Sequence, residues 1–483
     1  MEPDIHANPN KIASNTLFQI ISKFAILLLS LIAIKIITNT LGVSGTGYFN
    51  TITTYFGFII IAADLGLFSV AVREISKQPE KQRKILYNVF TIRLIFSTIF
   101  TIIGISLAFL THYPSQIKYG LLIASLYPII NLVSSVYDIF FQYKLEMKKV
   151  AISELFSKII TTVILLIFTY YKVNFYIFMT TIPIAALLIF ICKIYLSRNE
   201  LKLKFEYDKP VYNNLLKMSL PLGIVFIVNN FYFKVDTLIL FFFKGATAVG
   251  IYSVTYRILE TTLFTGSFLS SSLKPLLSTS VHNDPAKTEK ALQRGSAFLV
   301  FMALFLTISC VTFPREIITL LSNNSFISGQ YALVILGFVS IFIYTGGLLG
   351  EIMIALDLRR ILIRNSIFIL LFNVILNVLV IPRYSFTGAA VTTLISEIVL
   401  FTITATIVKK YFKLAFDWPR IAKLLGIAFL SILLGYTFKS YTPFLLNLPL
   451  VLLFYAVIAY FADAIPREIT DNYLKTIKSR FSR

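Results

Sequence analysis

Leu41-Gly42-Val43-Ser44-Gly45-Thr46-Gly47-Tyr48-Phe49 and Lys244-Gly245-Ala246-Thr247-Ala248-Val249-Gly250-Ile251-Tyr252 carry one pattern twice. A glycine is followed five residues later by a second glycine, and two residues later by an aromatic ring. The offset is constant, since 245 − 42 and 250 − 47 both equal 203. Each copy separates two apolar stretches of membrane length, and the copies occupy matching points in the order of those stretches. Residue identity elsewhere at this offset is poor, so the placement carries the argument. Two copies of a six-helix unit in one hydrophobic chain are the signature of a two-lobed transporter.

Working outward, the composition agrees. Of 483 residues, 57% are hydrophobic and 14% are charged, with a mean hydropathy of +0.81. Soluble domains carry about a quarter charged residues. Continuous apolar runs of about 20 residues recur along the chain, enough to cross a bilayer as helices. They do not alternate, which excludes a barrel. The expected fold is an all-α polytopic membrane protein with fourteen helices. Their expected spans are roughly 15–40, 48–72, 87–110, 118–141, 151–172, 175–197, 214–243, 248–274, 294–313, 329–356, 364–382, 387–409, 421–439 and 445–463. Helices 1–6 make a first lobe (1–200) and helices 7–12 a second (201–410). Helices 13 and 14 with a basic tail complete the chain (411–483). An even helix number per lobe inserts both lobes the same way, related by an axis along the membrane normal. Pro128, Pro183 and Pro221 punctuate predicted helices and free carbonyls for kinks.

The net charge of +21 is not a nucleic-acid signal. The cations gather in alternate loops, among them Arg73, Lys77, Lys81, Arg83 and Lys84, then Lys144, Lys148 and Lys149, and later Lys409, Lys410 and Lys413. The opposite loops hold single cations such as Lys118, Lys172 and Lys244. This asymmetry directs the basic loops and both termini to the cytoplasm, against anionic headgroups. The first apolar run contains Lys23 and Lys35, lacks a small-residue cleavage site and belongs to the repeat, so it reads as a membrane helix and not a leader.

Several chemistries are excluded. No loop is long enough for a catalytic domain, and the P-loop pattern is absent. Gly346-Gly347-x-x-Gly350 lies in an apolar helix with no preceding strand and reads as close helix packing. Cys192 and Cys310 have no CxxC spacing, and His6, His112 and His282 are scattered. Neither a disulfide nor a metal site is expected. No cofactor is implied, and an ion gradient of protons or sodium is the energy source left.

The informative residues are charges deep in apolar helices, which cost about 2.5–3.5 kcal/mol each on the insertion scale. Lys23 lies about 12 Å inside predicted helix 1. Lys35 is on the same helix and Asp64 on helix 2. Lys234 and Asp236 are on helix 7, Arg257 and Glu260 on helix 8, and Glu397 on helix 12. Helices 1 and 2 correspond in the repeat to helices 7 and 8, so most of these charges fall at equivalent places. Arg257 and Glu260 share a helical face. Buried pairing as a packing device is one reading, and a shared polar cavity is the other. Cations at mid-membrane suit an anionic headgroup such as pyrophosphate, with Lys23, Lys35, Lys234 and Arg257 as the binding set. Asp64, Asp236, Glu260 and Glu397 would then hold the cations or bind a coupling ion. Lys35 and Asp138 lie near predicted helix ends, where they can snorkel, and Arg93 and Lys158 lie near cytoplasmic ends.

At this point the residues resemble a known family. Asp64-Leu65-Gly66-Leu67 leading to Arg73-Glu74-x-x-Lys77 is similar to the end of helix 2 in polysaccharide-exporting flippases. Leu41-Gly42 with Gly47-Tyr48-Phe49, Asp236, Val249-Gly250-Ile251-Tyr252 with Tyr256-Arg257, and Ile381-Pro382-Arg383-Tyr384 with Gly388-Ala389-Ala390 follow in the same order. The set resembles the polysaccharide transporter branch of the multidrug/oligosaccharidyl-lipid/polysaccharide exporter superfamily. That resemblance implies a V-shaped helical flippase in a bacterial cytoplasmic membrane. Its substrate would be an undecaprenyl-pyrophosphate-linked oligosaccharide for surface polysaccharide. Membrane lipids, a polysaccharide polymerase and a chain-length regulator are the implied partners. Lys23 and the Arg257–Glu260 pair look similar in position to cavity residues of the lipid II branch. Helix 2 has no deep arginine here, a departure that argues against lipid II itself. Helices 13 and 14 resemble those that hold the lipid tail outside the lobes.

Two other readings compete. A drug or organic-cation antiporter of the same superfamily would want an acid-dominated pocket, against the deep cations. A polysaccharide polymerase or glycosyltransferase would want a large external loop with catalytic residues, and the external loops are short. The chain is expected to be a transporter and not an enzyme.

Overall fold

A computed structural model of the chain describes residues 9–412 and 416–465. His6, Lys413 and the basic tail beyond 465 lie outside the described residues. All regular structure among these residues is helical. In chain order the α-helices are α1 (Pro9–Asp64), α2 (Leu67–Lys77), α3 (Gln82–Leu110), α4 (Ser115–Ile123), α5 (Leu126–Tyr143), α6 (Met147–Tyr170), α7 (Phe175–Met179) and α8 (Thr181–Ser197). They continue as α9 (Lys209–Ser272), α10 (Lys274–Asn283), α11 (Pro285–Thr312), α12 (Pro314–Leu321), α13 (Gln330–Ala355), α14 (Arg359–Val408), α15 (Trp418–Phe438) and α16 (Phe444–Phe461).

Eleven helical spans among the described residues are long and apolar enough to cross a membrane, against fourteen expected. The difference has a backbone cause. Three helices run through an elbow that joins two segments separated in the sequence reading: α1 at Gly42, α9 at Gly245 and α14 at Ser385. Gly42 has φ 64° and ψ −170°, and Gly245 has φ 73° and ψ −171°. A side chain is strained in that region, so only glycine takes it at little cost. Ser385, with φ 54° and ψ −137°, turns the third elbow without that freedom.

The prolines act one turn upstream of themselves. Pro128 and Pro183 sit in the first turns of α5 and α8. Lacking an N–H, they cannot bond the carbonyls of Ala124 and Met179, and the helices break there, between α4 and α5 and between α7 and α8. Pro221 lies inside α9.

By compactness the chain divides into Met1–Gly250 with Leu321–Asn323, and Ile251–Leu320 with Asn324–Arg483. This cut and the boundary near residue 200 drawn from the repeat are different divisions, because compactness places the first arm of α9 with α1–α8. In the first unit α1 packs on α3, α5 and α6, and α8 packs on α5 and α6. One apolar core joins Val70, Leu86, Ile92, Phe140 and Phe141 with Leu215 of α9. In the second unit α11, α13 and α14 pack together, and α15 and α16 lie on α11. Tyr455 of α16 stacks on Phe301 of α11 with ring centroids 5.3 Å apart. Lys439, following α15, pairs with Glu316 of α12 at 3.0 Å.

The two glycine elbows meet within the first unit, and they do so reciprocally. A Cβ on Gly47 would fall 1.8 Å from the carbonyl oxygen of Ala246, and one on Gly250 would fall 2.1 Å from that of Val43. Adding 203 to Val43 gives Ala246, so each second glycine touches the repeat equivalent of the same residue. Ser44 Oγ and Thr247 Oγ1, also 203 residues apart, lie 2.9 Å from each other. Contacts in which i meets j and j meets i define a local two-fold relation. The duplicated pattern is therefore a self-complementary contact as well as a turn.

Candidate functional site

The deep charges of the first unit fall into separate groups. Asp64, the last residue of α1, is committed to Arg93 of α3. Arg93 Nε and Nη2 donate to Asp64 Oδ1 at 3.0 and 2.5 Å. Arg93 is 1% exposed and Asp64 is 8% exposed. The expectation that Arg93 lies near a cytoplasmic helix end is corrected: α3 begins at Gln82, so Arg93 lies about three turns inside it. Its long stem bends to a buried carboxylate in place of water.

Lys35 is a tether. Its Nζ donates to the carbonyl of Ser322, and the Thr38 hydroxyl one turn on lies 3.4 Å from that of Leu321. Asn323 Nδ2 completes the attachment to Asn39 Oδ1 at 3.0 Å. Twelve residues separate Lys35 from Lys23, about 18 Å along the helix, so these two cations are not brought together.

Lys23 is exposed on α1, inside an apolar span of membrane length. The structure surrounds its level with charges that the sequence reading missed or set aside. Lys193 of α8 is 4% exposed. Its Nζ reaches Asp138 of α5 at 2.7 Å to Oδ1 and 2.8 Å to Oδ2. Asp138, expected to snorkel, is thus held by a buried lysine. Glu154 of α6 is half-buried and lies in the electrostatic field of Lys23, Lys193 and Asp138. The contact shown within this group is the Lys193–Asp138 pair, between α8 and α5. Glu154 lies in the first turn of the predicted helix 151–172 and is not among the deep charges singled out from the sequence.

Lys234 is half-exposed on the first arm of α9. Asp236, two residues on, is 3% exposed and accepts from the Thr237 amide at 2.7 Å. Residues two apart point to different sides of a helix. Between the elbows of the first unit lies a cavity of about 570 Å³, lined by Tyr48, His112, Tyr113, Phe241, Phe242 and Gly245 among others.

In the second unit Arg257 and Glu260 pair as their spacing requires, with Nη1 to Oε2 at 3.1 Å. The Arg257 side chain remains 42% exposed, so the carboxylate covers only part of the guanidinium. Glu397 is 4% exposed on the second arm of α14. Close to it in sequence is a polar network absent from the sequence reading. Asn373 Nδ2 donates to Ser396 Oγ at 3.0 Å, Asn377 Nδ2 to Asn373 Oδ1 at 2.8 Å, and Thr392 Oγ1 to Asn377 Oδ1 at 2.5 Å. Side-chain hydrogen bonds of this kind join helices in an apolar medium. Here they hold the two arms of α14 across the Ser385 elbow. Its signal was visible, since Asn373 and Asn377 are one turn apart in an apolar helix.

Outside the apolar spans, the connector from α8 to α9 is clipped to the first unit. Glu200 takes Lys144 and, at 2.9 Å, Lys149, and Asp208 takes Lys84 at 2.6 Å. The Lys144 and Lys149 ammonium groups hold the Glu200 carboxyl below its ordinary range. Lys84 and then the Val211 amide do the same for Asp208. No group of three or more histidine, cysteine, aspartate or glutamate residues is placed to hold a metal among the described residues.

With this geometry the chain can be set beside known proteins. It is 25% identical over 227 residues to the probable low-salt glycan biosynthesis flippase Agl15 of Haloferax volcanii, 46% of this chain and 48% of that one. It is 26% identical over 209 residues to the capsular polysaccharide biosynthesis protein CapF of Staphylococcus aureus, 42% of this chain and 52% of that one. The chain spans about half the length of these curated relatives. Among solved structures, the lipid II flippase MurJ in an inward closed conformation superposes with a TM-score of 0.76 at 15% identity, over 92% of this chain and 99% of that one. An inward-facing multidrug resistance MATE transporter of the MOP superfamily gives 0.63 at 12% identity, over 80% of this chain and 94% of that one. These likenesses establish the fold. The family model for polysaccharide biosynthesis proteins matches residues 12–281, more than half of the chain, and the chain belongs to that family, on the transporter fold of the MOP superfamily.

Proposed function

We propose that this protein is a flippase that carries polyprenyl-pyrophosphate-linked oligosaccharides across the cytoplasmic membrane during surface polysaccharide synthesis. The observation that carries the reading is Arg257, a guanidinium 42% open inside a membrane-spanning helix and only partly matched by Glu260. An open guanidinium in an apolar span calls for water or an anion. A planar fork recognises a phosphate through paired hydrogen bonds. Lys23 and Lys234, exposed and half-exposed in other apolar helices, supply further positive charge to the pathway. Under this reading the headgroup follows the cations, the sugars cross in water, and the polyprenyl tail stays in lipid.

Energy comes from an ion gradient or the membrane potential, with Asp236, Glu260 and Glu397 as coupling candidates. The commitment of Asp64 to Arg93 favours a structural role for that acid, and the tether at Ser322 favours one for Lys35. A drug antiporter is the second reading supported by the fold. The exposed cations favour an anionic cargo over a cationic one.

The test is Lys23→Ala and Arg257→Ala in a cell that depends on this chain for its surface glycan. Each variant should reach normal abundance in the membrane while the lipid-linked precursor accumulates and surface glycan falls. Normal surface glycan from both variants would show that these cations do not bind the cargo.

A further inference from the structure

The cavity beside the two glycine elbows has walls unlike the charged helices around it. Its volume of about 570 Å³ falls within the range of small-molecule sites, about 300–1,000 Å³. Three segments of the first unit line it: the second arm of α1 at Tyr48, the turn from Leu110 to Pro114, and α9 from Phe241 to Ala246. Phe241, 7% exposed, joins the walls, its ring centroid 6.3 Å from that of Tyr48 and 5.5 Å from that of Tyr113. The elbows do not require these rings, since Ile251 and Thr38 stand 203 residues from Tyr48 and Phe241. No lysine, arginine, aspartate or glutamate lines the cavity among the described residues, so it has no fixed charge with which to select an ion. The polar groups on its lining residues include the His112 imidazole and the Tyr48 and Tyr113 hydroxyls. Tyr55, the next ring beyond Tyr113, spends its hydroxyl on the Gly104 carbonyl at 2.7 Å. The Tyr48 and Tyr113 hydroxyls have no such bond among the described residues.

A belt of aromatic rings at the headgroups is a general property of membrane helices, and it accounts for exposed rings such as Tyr119 and Tyr170. It does not account for rings grouped around a void with uncommitted hydroxyls. A sugar ring fits those walls, because its C–H face stacks on an aromatic ring while its rim of hydroxyls takes hydrogen bonds. We propose that this cavity is a saccharide site, which holds neutral sugar rings of the cargo once they have crossed the membrane. The inference rests on the reading that the cargo is a lipid-linked glycan, and it adds a second point of contact to the cationic one. The asymmetry of the basic loops puts all three lining segments on the side away from the cytoplasm. A weak hold there favours the crossed state without stopping release.

Saturation-transfer NMR of cellobiose and diacetylchitobiose with the purified full chain tests this, in an amine-oxide detergent that has no sugar headgroup. Both disaccharides should take up saturation through their ring C–H protons, with dissociation constants of about 1 mM. Phe242 is 79% exposed and His112 is exposed, so replacing either leaves the core alone. Phe242→Ala should weaken binding about tenfold, and His112→Ala and Tyr113→Phe about threefold each. Farnesyl diphosphate, which carries the anion and no sugar, should bind Phe242→Ala as it binds the parent protein and lose affinity in Arg257→Ala. Absence of saturation in both disaccharides, or equal binding by parent and Phe242→Ala, overturns the saccharide site. Farnesyl diphosphate still bound through Arg257 then leaves the anionic cargo standing. Farnesol bound in a way that Phe242→Ala abolishes, with neither disaccharide bound, assigns the cavity to a lipid chain and also overturns the proposal. Disaccharides bound as expected, with farnesyl diphosphate indifferent to Arg257→Ala, support the saccharide site and overturn the cationic contact.

Discussion

Removing the Arg93 guanidinium should cost this protein about 3–5 kcal/mol, because it leaves the Asp64 carboxylate buried without its counter-charge. The structure supports the upper half of that range. Arg93 is 1% exposed and its donors converge on one carboxylate oxygen at 2.5 and 3.0 Å. Arg93→Ala and Asp64→Ala should each lose about 4 kcal/mol, a factor of about a thousand in the folded population. The double variant should lose less than either, about 1–2 kcal/mol, since burying neither charge is often nearly neutral. Arg93→Lys should behave like a partial deletion, as an ammonium cannot present the two donors of the fork. Unfolding of the purified chain in mixed micelles, driven by SDS and followed by circular dichroism, measures these losses and the coupling between sites. Additive losses in the double variant, or less than about 1 kcal/mol for either single change, would refute the reasoning. A second readout separates structure from transport. Under the proposed function, and if Asp64 carries no coupling ion, the double variant should still export surface glycan wherever it folds.

Other outcomes follow from the same geometry. Gly47→Ala and Gly250→Ala should each cost about 3 kcal/mol or more, because the new methyl meets backbone carbonyls at 1.8 and 2.1 Å that cannot rotate away. Thermal melting should show both changes equally severe, and a mild effect of either would contradict the reciprocal contact. Ser385→Gly should stabilise the chain by up to about 1 kcal/mol by relieving φ 54°, read as a rise in melting temperature. The clip at Glu200 is pH-dependent with a determined sign. Its carboxyl is held low in the folded protein by Lys144 and Lys149, so its contribution is present above the unfolded value of about 4.3 and is lost as pH falls through the folded one. A nitroxide on Lys202→Cys should stay immobile from pH 8 to 5 and loosen below about pH 4; loosening already near pH 6 would refute the assignment.

Much of the architecture could be read from residue order. The apolar runs announced membrane helices because hydrocarbon tolerates no unpaired backbone. The offset of 203 marked two equivalent elbows because φ near 64° and 73° admits little but glycine. The Arg257–Glu260 pair was legible because a spacing of three places side chains on one helical face. Segment number was less legible, since at Gly42, Gly245 and Ser385 two helices abut at one non-helical residue with no loop between them.

The partners of the other deep charges were not legible. Asp64 and Arg93 are 29 residues apart, Asp138 and Lys193 are 55 apart, and Lys35 meets a carbonyl 287 residues away. Local sequence determines that a residue is charged and lies in an apolar helix, because both facts depend on its neighbours along the chain. Only the packing of one helix on another decides whether the charge is neutralised, since an ion pair needs contact within a few ångströms and helix order does not specify rotation. That distinction separates Asp64 and Lys35, whose partners the fold brings from far along the chain, from Arg257, whose partner lies one turn away on its own helix.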